Sequence, residues 1–224
     1  MGLSDFWKLI TGRTGDDSDA EPESAETHEE STEPDSSRSE ALKGRRYLTV
    51  GVDWGTSATK VVIRDPYGPG SPAYLVDFGK HGAEVSSYLL PSALSVDEQG
   101  RIRFGETHDG ISIPELKVHL IQRPEEPLPV ALDAQPRELA ALYVAAVLRY
   151  VRRWLLANHG DRYQGYEFVW EFNLGIPAAS HDNEGSRSLF KDMARVGWGL
   201  SQQERMRVQD TRSAYNALAE GKFD

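Results

Sequence analysis

Val50-Gly51-Val52-Asp53-Trp54-Gly55-Thr56-Ser57-Ala58-Thr59-Lys60 carries the signal that organises the rest of the chain. Apolar and β-branched residues run up to Asp53 and resume at Thr59, so 47–53 and 59–64 are expected as strands with a short small-residue turn, 54–58, between them. A carboxylate at a strand end suits the waters of a bound Mg2+, a following Gly lets the backbone approach an anion, and Thr and Ser offer N–H and hydroxyl donors. The set fits a phosphate clamp. It also fits an ordinary tight hairpin turn that uses Gly, Thr and Ser. It is not a P-loop, because no Gly-Lys-Ser/Thr follows and the next element is a strand rather than a helix.

Working outward, Asp65-Pro66-Tyr67-Gly68-Pro69-Gly70 has the chemistry of a turn and leads to a third expected strand at 73–78. Three successive strands with short connections imply an antiparallel meander. Residues 89–96 and 101–104 read as a further pair hinged at Asp97-Glu98-Gln99-Gly100. Beyond them the period changes. Leu139, Leu142, Tyr143, Ala146, Val147, Tyr150, Val151, Trp154 and Leu155 form a stripe at three- and four-residue spacing, with Pro136 at its start and Gly160 past its end. Phe168, Trp170, Phe172, Leu174 and Ile176 then share one face of a strand stopped by Pro177. A helix through 192–196 follows, capped by Ser180 or Asp182 and burying Leu189, Met193 and Val196. A last short strand is expected at 207–209 and a last helix at 211–220. Trp154, Trp170 and Trp198 fall at packing positions. This order describes an α/β layer with a mixed sheet, an antiparallel three-strand start, and later strands joined in parallel through helices.

The chain has 224 residues, a hydrophobic fraction of 39% and a net charge of -10, which suits one soluble domain with an appended polar segment. Residues 11–40 hold 11 acidic and 2 basic side chains, nearly the whole net charge, so the body is close to neutral. A neutral body and a phosphate-repelling tail exclude nucleic acid as an expected partner. Residues 11–45 read as a disordered acidic tail, too poor in apolar side chains to offset the entropy of ordering. Ahead of it, Leu3, Phe6, Trp7 and Ile10 place one apolar face on a short peptide, 1–10, too short to be a stable helix alone. It reads either as a docking peptide for a partner or a membrane surface, or as an N-terminus that folds back on its own domain. A tether of about 30 residues gives it a reach of roughly 30 Å.

Cysteine is absent, which removes disulfides, thiolate nucleophiles and Cys-based zinc sites from consideration. None of the 6 histidines forms a pair at zinc-ligand spacing or a triad-like order with Ser and Asp, so structural or surface roles are expected for them. No signal peptide precedes the body and no run approaches the roughly 18 apolar residues of a membrane span. A cytoplasmic protein without a transmembrane segment is therefore expected.

Asp-x-Gly-Thr-Ser between two apolar strands, at Asp53 to Ser57, resembles the first phosphate motif of the actin, sugar-kinase and DnaK-type heat-shock superfamily. Further segments fall in the family's order. Leu90-Pro91-Ser92-Ala93-Leu94 followed by Phe104-Gly105-Glu106 is similar to the Pro-Ser strand and Gly-containing turn of the heat-shock branch. Glu115-Leu116-Lys117-Val118-His119-Leu120-Ile121 resembles its lysine-bearing segment, and Gly175-Ile176-Pro177-Ala178 its Val-Pro-Ala strand end. Val208-Gln209-Asp210-Thr211-Arg212-Ser213-Ala214 is a weaker likeness of its Asn-Glu-Pro-Thr-Ala-Ala helix start, with Asp where that motif has Glu and Thr211-Arg212 in place of Pro-Thr.

The resemblance covers 47–221 and implies the first lobe of an actin-like (ribonuclease-H-like) ATPase fold, assigned to 46–224, in an Hsp-like chaperone ATPase. It implies ATP held through Mg2+, with Asp53 and Asp210 near the metal's waters, Gly55, Thr56 and Ser57 on the phosphates, and Lys117 beside the γ-phosphate. The work there would be charge stabilisation on the transferring phosphoryl group and orientation of a water. Lys60 matches a phosphate-meeting lysine of actin and equally reads as a solvated strand lysine. The family's second phosphate motif, Asp-x-Gly-Gly-Gly, and its adenosine-binding Gly-rich segment do not occur in these residues. The expectation is accordingly a lobe that needs a second one from another segment or protein. Losing half the contacts of a micromolar site, about -8.2 kcal/mol, leaves about -4 kcal/mol and millimolar affinity. The alternative is a stand-alone interaction module that keeps the lobe as a scaffold, with residues 1–40 recruiting a protein partner. A sugar-kinase or filament-forming role is disfavoured by the Pro-Ser and Lys117 segments.

Overall fold

The computed structural model describes residues 43–98, 100–105, 110–126, 128, 132–204 and 206–223. The peptide expected at 1–10 and the acidic tail up to residue 42 lie outside them, as does Glu106. The first strand, β1 (Gly44–Trp54), takes in the last two residues of the expected tail, 44 and 45.

Strand β1 turns back through Gly55, Thr56 and Ser57 into β2 (Ala58–Arg64), and the Asp65–Gly70 turn leads to β3 (Ala73–Leu75). Strand β4 (Leu90–Pro91) pairs with the start of β2. Strands β5 (Leu94–Val96), β6 (Ile102–Phe104) and β7 (Ile111–Ile113) form a separate antiparallel sheet with β5 in the centre. Helix α1 (Leu116–Gln122) precedes the long α2 (Pro136–Tyr163), and β8 (Tyr166–Leu174) returns to the main sheet. Helices α3 (Ala178–His181), α4 (Glu184–Leu200) and α5 (Val208–Ala219) complete the described chain. The architecture is α/β: a mixed five-stranded sheet, in the order β3-β2-β1-β8 with β4 beside β2, carrying the helices.

Short connections make β1, β2 and β3 antiparallel, as the turn chemistry predicts. The crossover through α2 makes β8 parallel to β1, with Val50 opposite Phe172 and Val52 opposite Leu174. Alternation then assigns the faces. Leu48, Val50, Val52 and Trp54 of β1 and Val61 and Ile63 of β2 are buried under α2, together with Leu139, Leu142, Tyr143, Val147 and Val151 from the predicted stripe. Trp154, Trp170 and Trp198 pack partly buried at the edge of this core, and among the described residues the fully buried tryptophan is Trp54. On the opposite face Asp53, Lys60, Val62, Arg64, Glu171 and Asn173 are exposed. Asp65, wholly buried, anchors the β2–β3 turn: its carboxylate accepts from Arg46 Nε at 3.0 Å and from the Tyr163 hydroxyl at 3.3 Å.

Several elements differ from expectation for identifiable reasons. Strand β3 stops at Leu75 because the chain turns inward, burying Val76 and Phe78. The expected strand at 89–96 is split at Ser92-Ala93, where it leaves one sheet for the other. Strand β7 was not foreseen. Helix α2 runs on through Gly160 to Tyr163, bent at His159. Helix α4 is capped by Asn183, whose side-chain oxygen accepts from Ser186 N–H at 2.9 Å, rather than by Ser180 or Asp182. The strand expected at 207–209 is instead the start of α5. There the Asp210 carboxylate reaches back to accept Arg207 N–H at 2.8 Å, closing a helical turn.

Candidate functional site

The turn between β1 and β2 is open at its tip. Gly55 N–H donates to the Ala58 carbonyl at 3.0 Å, closing the hairpin around Thr56 and Ser57. A Cβ on Gly55 would stand 2.5 Å from that same oxygen, so only glycine fits. Thr56 and Ser57 are exposed, and among the described residues neither their N–H groups nor their hydroxyls have a protein partner. The exposed Asp53 carboxylate likewise accepts no hydrogen bond there. Four donors and one carboxylate thus share one tip.

Charged groups surround that tip. Lys60 lies directly across the hairpin from Asp53, which places their Cβ atoms about 5 Å apart on the open face. Lys117, on the first turn of α1, is buried and donates its ammonium to the Trp54 carbonyl; it also lies 5.9 Å from the Trp54 ring centroid. Burial pushes the Lys117 pKa down, partly opposed by attraction to Asp53. Sheet pairing thus brings Asp53, Gly55, Thr56, Ser57 and Lys60 together, and α1 brings Lys117 to them. The residue before α1, Glu115, adopts a left-handed φ of 49°, an unfavourable state for a side-chain-bearing residue, and this kink directs the helix start at Trp54. Gly175, just after β8, donates its N–H to the Val52 carbonyl at 2.8 Å. This flank lies beside Asp53: a Cβ at Gly175 would be in ordinary van der Waals contact, 3.9 Å from an Asp53 carboxylate oxygen.

Asp210 is not joined to this group. Its carboxylate serves the α5 cap, and among the described residues no hydrogen bond or ion pair links it to Asp53, Lys60 or Lys117. The neighbouring Arg212 ties α5 to α2 through Glu138 at 2.9 Å and to the segment before α2 through Asp133 at 3.1 Å. A cavity of about 650 Å³ between α1, the start of α2, α4 and α5, walled by Ile121, Arg137, Leu189, Asp192, Tyr215 and Leu218, contains none of the expected site residues.

Beneath the tip lies a layer that motif reading did not resolve. Ser92 donates its N–H to the Ser57 carbonyl at 3.0 Å and its hydroxyl to the Gly55 carbonyl at 2.8 Å. Thr59 Oγ1 is 3.0 Å from Ser92 Oγ, and the Tyr143 hydroxyl donates to Thr59 Oγ1 at 2.8 Å. All three are buried, and desolvation raises the Tyr143 pKa, keeping it a donor. Thr59 gave one signal in the sequence: it occupies an inward position of an alternating strand, where a hydroxyl needs a partner. Trp54 stacks on Tyr143 with ring centroids 5.7 Å apart and meets Phe190 edge-on at 6.4 Å, which ties the turn's base to α2 and α4.

Among the described residues no helix is long and apolar enough to cross a membrane. No protein-family model matches the chain, and no curated protein matches it.

Proposed function

We propose that this chain provides the phosphate-binding lobe of an Hsp-like ATPase of the actin-like, ribonuclease-H-like fold, receiving Mg-ATP at Asp53 to Ser57 and Lys117. The observation that carries the reading is the unpaired tip: two N–H groups and two hydroxyls at Thr56 and Ser57, beside an unpaired Asp53 carboxylate and the Lys117 ammonium. Thr56 and Ser57 donate to phosphate oxygens, Lys60 and Lys117 balance their charge, and Asp53 accepts from the waters of the metal. The Mg2+ ion, when bound, supplies the remaining neutralisation of the polyphosphate. Gly55 lets the hairpin close, since a Cβ there would strike the Ala58 carbonyl. Asp210, engaged in capping α5, has no part in this reading. The nucleoside is left to a second lobe from another segment or a partner protein, so phosphate contacts alone give affinity of about millimolar.

The test is a titration of the chain with Mg-ATP and with metal-free ATP, following backbone amide resonances. Thr56 and Ser57 are expected to move in a Mg2+-dependent way, and Asp53→Ala or Thr56→Ala to abolish the response at about millimolar ligand. Amides at 56 and 57 that stay fixed in the wild type, while resonances elsewhere respond, would remove the assignment. The interaction-module reading would then be the one to pursue.

A further inference from the structure

The hydroxyl layer beneath the tip has a direction. The Gly55 carbonyl can only accept, so its 2.8 Å contact with Ser92 commits the Ser92 hydroxyl proton to it. Ser92 Oγ must therefore accept in its contact with Thr59, which makes Thr59 the donor there. Thr59 in turn must accept from Tyr143, whose alternative acceptor, the Pro91 carbonyl, lies farther away at 3.2 Å. The result is a one-way relay, Tyr143 to Thr59 to Ser92 to Gly55, in which each hydroxyl polarises the next.

Its end point fixes the tip. A trans peptide holds its C=O and the following N–H on opposite sides. With the Gly55 carbonyl drawn toward Ser92, the Thr56 N–H points away from it. The Ser92 N–H holds the Ser57 carbonyl, on the other side of Thr56. The peptide before Gly55 is held too, its carbonyl by Lys117 and its N–H by Ala58. The Thr56–Ser57 peptide, which carries the Ser57 N–H, thus lies between two pinned carbonyls, both gripped by one residue.

We propose that Ser92 is the positioning residue of the phosphate turn, presenting Thr56 and Ser57 outward through its paired grip on the Gly55 and Ser57 carbonyls. The inference rests on the phosphate-binding reading for its purpose, but the pinning has its own readout. Ser92→Ala removes a hydroxyl from a position only 2% exposed and adds no atom. It is expected to raise the mobility of the Thr56 and Ser57 amides in 15N relaxation and to weaken Mg-tripolyphosphate binding by about tenfold, the effect of one lost hydrogen bond to a placed group. Ser92→Thr, which keeps the hydroxyl, is expected to restore both. Tyr143→Phe, which removes the head of the relay without touching the turn, is expected to shift both in the same direction by a smaller factor, and it carries the same test should Ser92→Ala fail to fold. Amides at 56 and 57 as rigid in Ser92→Ala or Tyr143→Phe as in the wild type, with only the urea midpoint lowered, would reduce Ser92 to a packing role and overturn the inference. A wild-type chain that binds no tripolyphosphate would instead overturn the phosphate reading, and the relaxation comparison would still decide whether Ser92 pins the tip.

Discussion

Lys117 ties together two opposite responses to pH. Its pKa lies below the ordinary 10.5 because burial disfavours the ammonium, with Asp53 opposing. A polyphosphate favours the charged form, so affinity is complete below the depressed pKa and falls as pH rises through it. Stability runs the other way: the unfolded chain holds the proton more tightly, so this group makes the fold gain stability as pH rises toward 10.5. Calorimetric titration with Mg-tripolyphosphate in alkaline buffers is expected to show proton uptake and falling affinity without unfolding. Lys117→Met should abolish the uptake, and a variant with the wild-type pH slope would show that another group titrates. Asp53, Gly55, Thr56 and Ser57 were legible in the sequence because five adjacent residues build the tip. The relay beneath was not, because its members are 33 and 84 residues apart and only the folded sheet brings them together.

Among the elements, α2 and α4 owe their close approach to one small residue. A Cβ on Gly197 would stand 2.9 Å from Val144 Cγ1 and 3.0 Å from the Ala141 carbonyl oxygen, and both neighbours lie in a packed core. Gly197→Ala is expected to force the helices apart and cost about 1–3 kcal/mol of stability, read from the urea midpoint at unchanged slope. A neutral or stabilising result would mean that the pair slides freely and that helix propensity dominates. Long periodic elements were readable: the α2 stripe and the alternation of β8 each repeat often enough to identify their period. Short ones were not. Arg207-Val208-Gln209 holds too few residues to show a period, and the capping carboxylate of Asp210 decided in favour of helix. The segment 89–96 reads as continuous strand by composition, yet Ser92 is drawn to the β1–β2 turn and breaks it there.

At the scale of the molecule, the compact unit Glu40–Asp224 contains every described residue. A chain beginning at Glu40 is expected to unfold in a single transition at the midpoint of the full chain, checked by scanning calorimetry. A clear drop in that midpoint would show that the preceding residues stabilise the fold. The mixed sheet and its antiparallel start followed from turn chemistry and from the crossover rule, which act locally or through one helix. In the small sheet the β5–β6 pair follows from the turn at 97–100, as expected, whereas β7 joins β5 across irregular chain and left no comparable pattern. The parallel pairing of β1 with β8 also sets the order of events in synthesis. Contacts such as Arg45 with Glu167 join residues 122 positions apart, so a ribosome adding about 5–20 residues per second leaves the far edge of β1 unpaired for roughly ten seconds. During that interval any strand that forms there carries an open row of N–H and C=O groups. The nascent protein is therefore most prone to mispairing, and most in need of a holding factor, in the window before β8 emerges.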